Sequence, residues 1–208
     1  LFSVADSISG TIGIAKLVTA PLCIVMTAMI YMWICGNGLK EKYGLCKADV
    51  AASKMLFYIP IIILLTANMW HGFRVNMSPL ETFLYILSML CVGFLEELIF
   101  RGLLFNAMLP NGKNSAIIVS SITFGIGHII NLFNGSGAEL LPNLLQVVYA
   151  IAVGFMFMMI YYRTKSLLPC IITHGVFNAL SIFASPFIAE HENILGALFM
   201  IVVSIGYA

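Results

Sequence analysis

Charged side chains are scarce in this 208-residue chain, since Asp, Glu, Lys and Arg together make up only 9% of it. A typical soluble domain contains about 25% of these residues, so the composition excludes an ordinary water-soluble protein. Hydrophobic residues make up 61%, which predicts an integral membrane protein in contact with lipid. The net charge of +1 gives no reason to expect nucleic-acid binding.

Several catalytic and metal-binding signatures are also missing. None of the five cysteines forms a CxxC pair, so we interpret them as small packing residues and not as disulfides or metal ligands. The sequence contains neither an HExxH zinc motif nor a nucleophile elbow around a serine. The first 20 residues also lack the pattern of a secretory signal.

Long apolar runs predict an all-α, polytopic transmembrane helix bundle, because a helix needs about 20 apolar residues to cross the hydrocarbon core. We predict about seven spans, at 17–35, 54–71, 80–109, 114–133, 140–162, 167–185 and 191–208. The chain begins at Leu1 and ends within an apolar run, so we expect trimmed termini, and eight spans are possible in the full-length chain. One membrane-embedded domain is predicted over residues 1–208.

Basic residues predict how the bundle is oriented. Across alternating loops, lysine and arginine fall seven to two, and the side with more of them is expected to face the cytoplasm. The richer side has Lys40, Lys42, Lys47, Lys54, Lys113, Arg163 and Lys165, and the poorer side has Lys16 and Arg74. We therefore predict a multi-pass protein of the bacterial plasma membrane, with a site that opens to the cytoplasmic side.

Three ionisable residues, Glu96, Glu97 and Arg101, lie in the middle of the third predicted span. A charge at this depth costs about 2.5–3.5 kcal/mol on insertion scales, so such residues pair, line a wet cavity or take part in chemistry. Glu97 and Arg101 are four residues apart and share a helix face, which predicts an ion pair. Glu96 points about 100° away and is predicted to be a free carboxylate.

Other polar residues are predicted at a similar depth. A rise of 1.5 Å per residue places Glu96, His128 and His174 roughly 21, 22 and 14 Å from the basic side, and Asn178 lies one turn beyond His174. Three helices would then bring a carboxylate, two imidazoles and an amide together. Gly125 and Gly127 are expected to let a helix or a peptide come close to His128.

Three motifs in this order, Glu96-Glu97-x-x-x-Arg101, Phe124-x-x-x-His128 and His174-x-x-x-Asn178, resemble those of the CAAX protease and bacteriocin-processing family. Its eukaryotic members are the type II CAAX prenyl endopeptidases. The resemblance covers a motif-bearing core at about 80–185. It implies an intramembrane glutamate protease that acts on membrane-associated peptides, including prenylated CAAX-type substrates, and that uses no cofactor.

The resemblance also implies roles for individual residues. Glu96 and His128 match the residues that activate the attacking water, and His174 and Asn178 match those that stabilise the oxyanion. Glu97 and Arg101 match the supporting ion pair. An apolar or lipidated peptide is the expected partner.

Two alternatives remain open at this stage. In the first, Glu96, His128 and His174 bind zinc with one open coordination position, as in a zinc-dependent intramembrane hydrolase. In the second, the polar cluster binds protons or a ligand in a non-catalytic bacteriocin immunity or transport protein.

Overall fold

A computed structural model of the protein describes residues 2–50, 56, 58–133, 139–185 and 190–208. The structure is 79% helical, and no strand occurs within these ranges. The all-α prediction is therefore confirmed. Lys54 and part of the start of the second predicted span lie outside the described residues.

Eight helices can be numbered along the described ranges. They are α1 (Phe2–Ile12), α2 (Thr19–Gly36), α3 (Tyr58–Thr66), α4 (Pro79–Glu97), α5 (Lys113–Gly127), α6 (Leu140–Thr164), α7 (Leu168–Leu180) and α8 (Glu190–Tyr207). Short 3-10 turns extend α3 to Met69, α5 to Leu132 and α7 to Phe183. Helix α4 continues into a π-helical segment, Leu98–Phe105, and this helical rod ends at Asn111.

All seven predicted segments contain helices, but their lengths differ. Among the described residues, four helical rods are long and apolar enough to cross a membrane: Thr19–Gly36, Pro79–Asn111, Lys113–Leu132 and Leu140–Thr164. Three others are apolar but shorter: Ile59–Met69, Leu168–Phe183 and His191–Tyr207. The chain is an integral membrane protein, while the count of seven spans stays a prediction. Helix α1 was missed because its serines and Asp6 interrupt the apolar pattern.

Helix α4, which bears the carboxylates, begins at a strong N-terminal signal. The Ser78 hydroxyl accepts a hydrogen bond from the Glu81 backbone N–H, and the Glu81 carboxylate accepts one from the Ser78 N–H. Pro79 follows, where its missing N–H has no cost. The other Glu81 oxygen accepts from the backbone N–H of Ala15 at 3.0 Å. These contacts fix where α4 starts and thus the level at which its last turn lies.

Glycines allow two helix pairs to approach closely near the middle of the bundle. A Cβ atom added at Gly93 of α4 would lie 2.6 Å from the Cα atom of Gly175 in α7. A Cβ atom at Gly125 of α5 would lie 2.6 Å from the backbone nitrogen of Ile151 in α6. Small residues at such crossings let helix backbones pack in direct contact. Gly93 lies one turn before Glu97 and Gly175 follows His174, so this crossing sets the spacing of the site.

The loop after α2 is bound to the end of the bundle that carries most of the lysines. The Leu167 N–H donates to the Gly44 carbonyl at 2.7 Å, and the Ser166 hydroxyl donates to the Cys46 carbonyl at 2.6 Å. Gly44 has φ +72°, and a Cβ atom there would lie 2.5 Å from the Tyr161 ring. The loop therefore packs directly against the junction of α6 and α7.

We expect Gly93→Ala to lower the unfolding temperature of the purified protein, because the added methyl group forces α4 and α7 apart. Overpacking of this kind typically costs about 1–3 kcal/mol. Thermal unfolding in detergent measures the effect. Gly206→Ala is the matched control, since a Cβ atom there meets nothing within 4 Å. Equal unfolding temperatures for the two variants would show that the crossing does not need glycine.

Candidate active site

Two neighbouring glutamates at the end of α4 have different surroundings. The Glu97 side chain is fully buried, whereas about a third (35%) of the Glu96 side chain is accessible. Both precede the π-helical segment, whose wider turn is a feature often found at functional sites. One glutamate is therefore part of the packed interior, and the other faces open space.

The Glu97 carboxylate pairs with Arg101, which is also fully buried. Arg101 donates from Nη1 to Glu97 Oε1 at 3.1 Å and from Nη2 to the Gly154 carbonyl at 3.3 Å. The guanidinium group lies 4.1 Å from the centre of the Phe124 ring. The spacing rule thus correctly predicted the ion pair. Because each charge is held by the other and by backbone or ring contacts, the pair can remain in the interior.

His174 lies between the two glutamates. Its Nδ1 atom is 2.8 Å from Glu97 Oε1, and its Nε2 atom is 3.6 Å from Glu96 Oε2. A carboxylate accepts hydrogen bonds, so Nδ1 carries the proton in this contact. The Phe124 ring meets the imidazole edge-on, with ring centres 5.5 Å apart. Glu97 therefore orients His174 so that its other nitrogen faces Glu96.

His128 stands at the end of α5, where the helix changes to a 3-10 turn. Its Nδ1 atom lies 3.2 Å from the Phe124 carbonyl, which can only accept, so Nδ1 donates and Nε2 is left with a free lone pair. The His128 carbonyl accepts a hydrogen bond from Asn143 Nδ2 at 3.0 Å. The ring is thus held in the tautomer that can accept a proton at Nε2.

A cavity of about 400 Å³ joins these groups. Glu96, His128, His174 and Asn178 all line it, so the predicted convergence of three helices is present. Its volume lies in the range of roughly 300–1,000 Å³ that is usual for ligand sites. The remaining lining residues are Leu64, Asn68, Tyr85, Met89, Val92, Phe124, Asn131, Gln146, Tyr149, Ala150, Val153, Phe157, Phe177 and Ser181. The site is therefore a mixed polar and apolar pocket.

Several polar residues in and beside this pocket were not predicted from the sequence. Gln146 Oε1 accepts from Asn131 Nδ2 at 3.2 Å and from Asn143 Nδ2 at 3.4 Å. The Tyr85 hydroxyl and the Ser181 hydroxyl are 2.9 Å apart. Asn143 and Gln146 are polar residues inside a predicted span, which is the same signal that drew attention to His128.

The two glycines near His128, Gly125 and Gly127, have different surroundings. A Cβ atom at Gly125 would lie 2.6 Å from the backbone nitrogen of Ile151, so this glycine allows the expected close approach of α6. A Cβ atom at Gly127 would meet nothing within 4 Å, so this glycine is not needed for any contact among the described residues.

A zinc site would need Glu96, His128 and His174 to converge on one point. Glu96, His128 and His174 line one cavity, yet no three described His, Cys, Asp or Glu side chains are placed so that they could hold a metal ion together. The zinc alternative stays a prediction, and the mechanism proposed for this site involves only side chains and water.

The chain matches a model of a known protein family. Residues 78–180, about half of the chain, match the family model described as type II CAAX prenyl endopeptidase Rce1-like. The matched range contains all three motifs. No curated protein and no solved structure matches the chain.

We expect Arg101→Met to destabilise the protein strongly, because it leaves the Glu97 carboxylate buried without its cation. Removing one partner of a buried pair typically costs about 3–5 kcal/mol. Unfolding in detergent measures the loss, and Arg163→Met, which removes an exposed guanidinium, is the control. The double variant Glu97→Gln with Arg101→Met should recover part of the stability, since it removes the unpaired charge. No recovery would mean that packing and not charge holds Arg101 in place.

Proposed function

This chain belongs to the type II CAAX prenyl endopeptidase Rce1-like family, and on that basis we propose that it is an intramembrane endopeptidase that uses a water activated by Glu96 and His128. Membership of the family points to a protease. The observation that carries the mechanism is the cavity in which a partly accessible carboxylate and two imidazoles meet inside an apolar bundle.

The first step is the activation of water. Glu96 and His128 both line the cavity, and either the carboxylate or the free Nε2 of the imidazole can accept the proton that water loses as it attacks the peptide carbonyl. The proton then passes to the leaving amine as the C–N bond breaks. Because water and not a side chain is the nucleophile, no covalent enzyme intermediate forms. The contact of His128 Nδ1 with the Phe124 carbonyl keeps the accepting nitrogen directed away from the α5 backbone.

The second requirement is stabilisation of the oxyanion. The Asn178 amide lines the cavity one helical turn beyond His174, so both side chains are on the same face of α7. Asn178 donates from its side-chain N–H, and His174 donates from Nε2 when that atom carries a proton. Glu97 and Arg101 act by positioning His174 and do not touch the substrate.

The proposed substrate is an apolar or lipidated peptide held at a membrane. The cavity wall has an apolar part, against which such a chain would pack, and its residues include Leu64, Met89, Val92, Val153 and Phe157. A prenylated CAAX-type peptide is one member of this class. We place the protein in a bacterial plasma membrane as a multi-pass protein.

We expect Glu96→Gln to reduce cleavage of a lipidated reporter peptide by about 10²–10⁴-fold, the usual contribution of a general base. The amide keeps the shape of the side chain, so unfolding in detergent should be unchanged. Detergent-purified protein is incubated with the peptide and the products are read by mass. Glu41→Gln, at an exposed loop position, is the matched control and should cleave normally. Normal turnover by Glu96→Gln would contradict the catalytic role and favour a non-catalytic immunity or transport protein.

We expect Asn178→Ala to lower the turnover rate by about 10²–10³-fold with little change in KM, because an oxyanion donor acts mainly in the transition state. Steady-state kinetics with the same peptide separate the two constants. Asn114→Ala is the control, because Asn114 is an exposed amide near the start of α5. A rise in KM at unchanged turnover would instead assign Asn178 to substrate binding.

A further inference from the structure

Asn143 is a buried amide near the start of α6, outside the three motifs. Only 2% of the residue is exposed. Its Nδ2 atom donates to the His128 carbonyl at 3.0 Å, and because a carbonyl can only accept, this contact fixes which way the amide points. Its Oδ1 atom has no hydrogen-bond partner among the described residues. A buried polar atom without a partner costs about 1–3 kcal/mol, so packing alone does not account for an amide here.

The carbonyl that Asn143 binds lies where α5 changes its form. The α-helix ends at Gly127, and a 3-10 turn begins at His128. Helix ends fray because their last carbonyls lack the usual partner one turn further on. Here a side-chain N–H from α6 bonds to the carbonyl of His128. The backbone of a candidate catalytic residue is thus bound to a neighbouring helix.

Two further amides hold Asn143 in place. Gln146 lies three residues later on α6, which places it on the same helix face. Its Oε1 atom accepts from Asn143 Nδ2 at 3.4 Å and from Asn131 Nδ2 at 3.2 Å. Asn131 belongs to the 3-10 turn that begins at His128. The three amides therefore join the end of α5 to the start of α6 beside the candidate base.

The position of the His128 backbone decides how its imidazole ring is held. The Nδ1 atom reaches back to the Phe124 carbonyl at 3.2 Å, and the Phe124 ring meets the imidazole edge-on, with ring centres 5.3 Å apart. If the backbone of His128 moved, Nδ1 would lose the carbonyl, and either ring nitrogen could then carry the proton. In a neutral imidazole, Nε2 accepts a proton only while Nδ1 holds one.

We propose that Asn143 is a positioning residue for His128, which by binding the His128 carbonyl keeps the imidazole in the tautomer whose Nε2 accepts a proton from water. The inference rests on the proposed peptidase function and adds a residue from a helix that carries none of the three motifs. Asn143 is buried behind His128, Asn131 and Gln146, which line the cavity. It therefore acts through His128 and not on the substrate, and it should affect turnover more than substrate binding.

The first test is the ring-nitrogen NMR spectrum of the full chain, purified in detergent with ¹⁵N-labelled histidine, at a pH where the imidazoles are neutral. The His128 signals are those that His128→Gln removes. We expect a protonated Nδ1 and an unprotonated Nε2 in the unaltered protein. In Asn143→Leu, both signals should shift toward the average of the two tautomers. Asn143→Ala removes the same N–H with less bulk, so a shift in both variants comes from the lost hydrogen bond and not from packing.

The second test is steady-state cleavage of the lipidated reporter peptide. We expect both Asn143 variants to lower kcat by about 10–10²-fold with KM nearly unchanged, because a small misplacement of a catalytic group costs up to about 10²-fold. Asn106→Leu is the matched control. Asn106 is a partly buried amide that also donates to backbone carbonyls, those of Gly102 at 2.7 Å and Lys42 at 3.2 Å, and it does not line the cavity. This change should leave kcat and the His128 signals as they are.

Unchanged His128 signals in both Asn143 variants would overturn the proposal, and so would a rise in KM at constant kcat. Shifted signals with normal kcat would overturn it as well, because the hydrogen bond would then serve only the fold. The NMR spectrum does not require turnover. If the signals shift as expected while the unaltered protein cleaves no peptide, the proposed function is contradicted, and control of the His128 ring by Asn143 is established.

Discussion

The structure depends on how a carboxylate is kept in the middle of an apolar bundle. Glu97 is fully buried, and an unpaired carboxylate there would cost several kcal/mol in desolvation. Arg101 and His174 both contact the same carboxylate oxygen, Oε1, from two different helical rods. Because the contact with His174 leaves Nε2 facing Glu96, the interaction that compensates the buried charge also arranges the candidate catalytic groups.

This arrangement of Glu97, His174 and Glu96 also requires α4 and α7 to approach each other closely. The backbones of α4 and α7 touch at Gly93 and Gly175, which are one turn from Glu97 and next to His174 respectively. Larger residues at this crossing would separate the imidazole from both carboxylates. In a membrane, where apolar side chains gain little by leaving lipid, such close packing is a main source of helix association. The site is thus a consequence of backbone contact as much as of side-chain chemistry.

The cavity and the packed core occupy different parts of the bundle. Buried apolar side chains and the bound loop occupy the basic half of the bundle, and the polar pocket occupies the other half. The neutral amides around the pocket suit recognition of a peptide backbone more than recognition of a particular charged side chain.

The sequence by itself determined the all-α membrane class, the family and the Glu97–Arg101 pair, because hydrophobic length, motif order and i,i+4 spacing are local properties of the chain. The common depth of Glu96, His128 and Asn178 could also be predicted, since the helical rise is fixed. Tertiary structure alone decided that His174 bridges the two glutamates and that Asn143 and Gln146 support the pocket. It also decided in which part of the bundle the cavity lies. These features depend on which helix faces meet, and neither periodicity nor depth along a single helix specifies how one helix is rotated and placed against another.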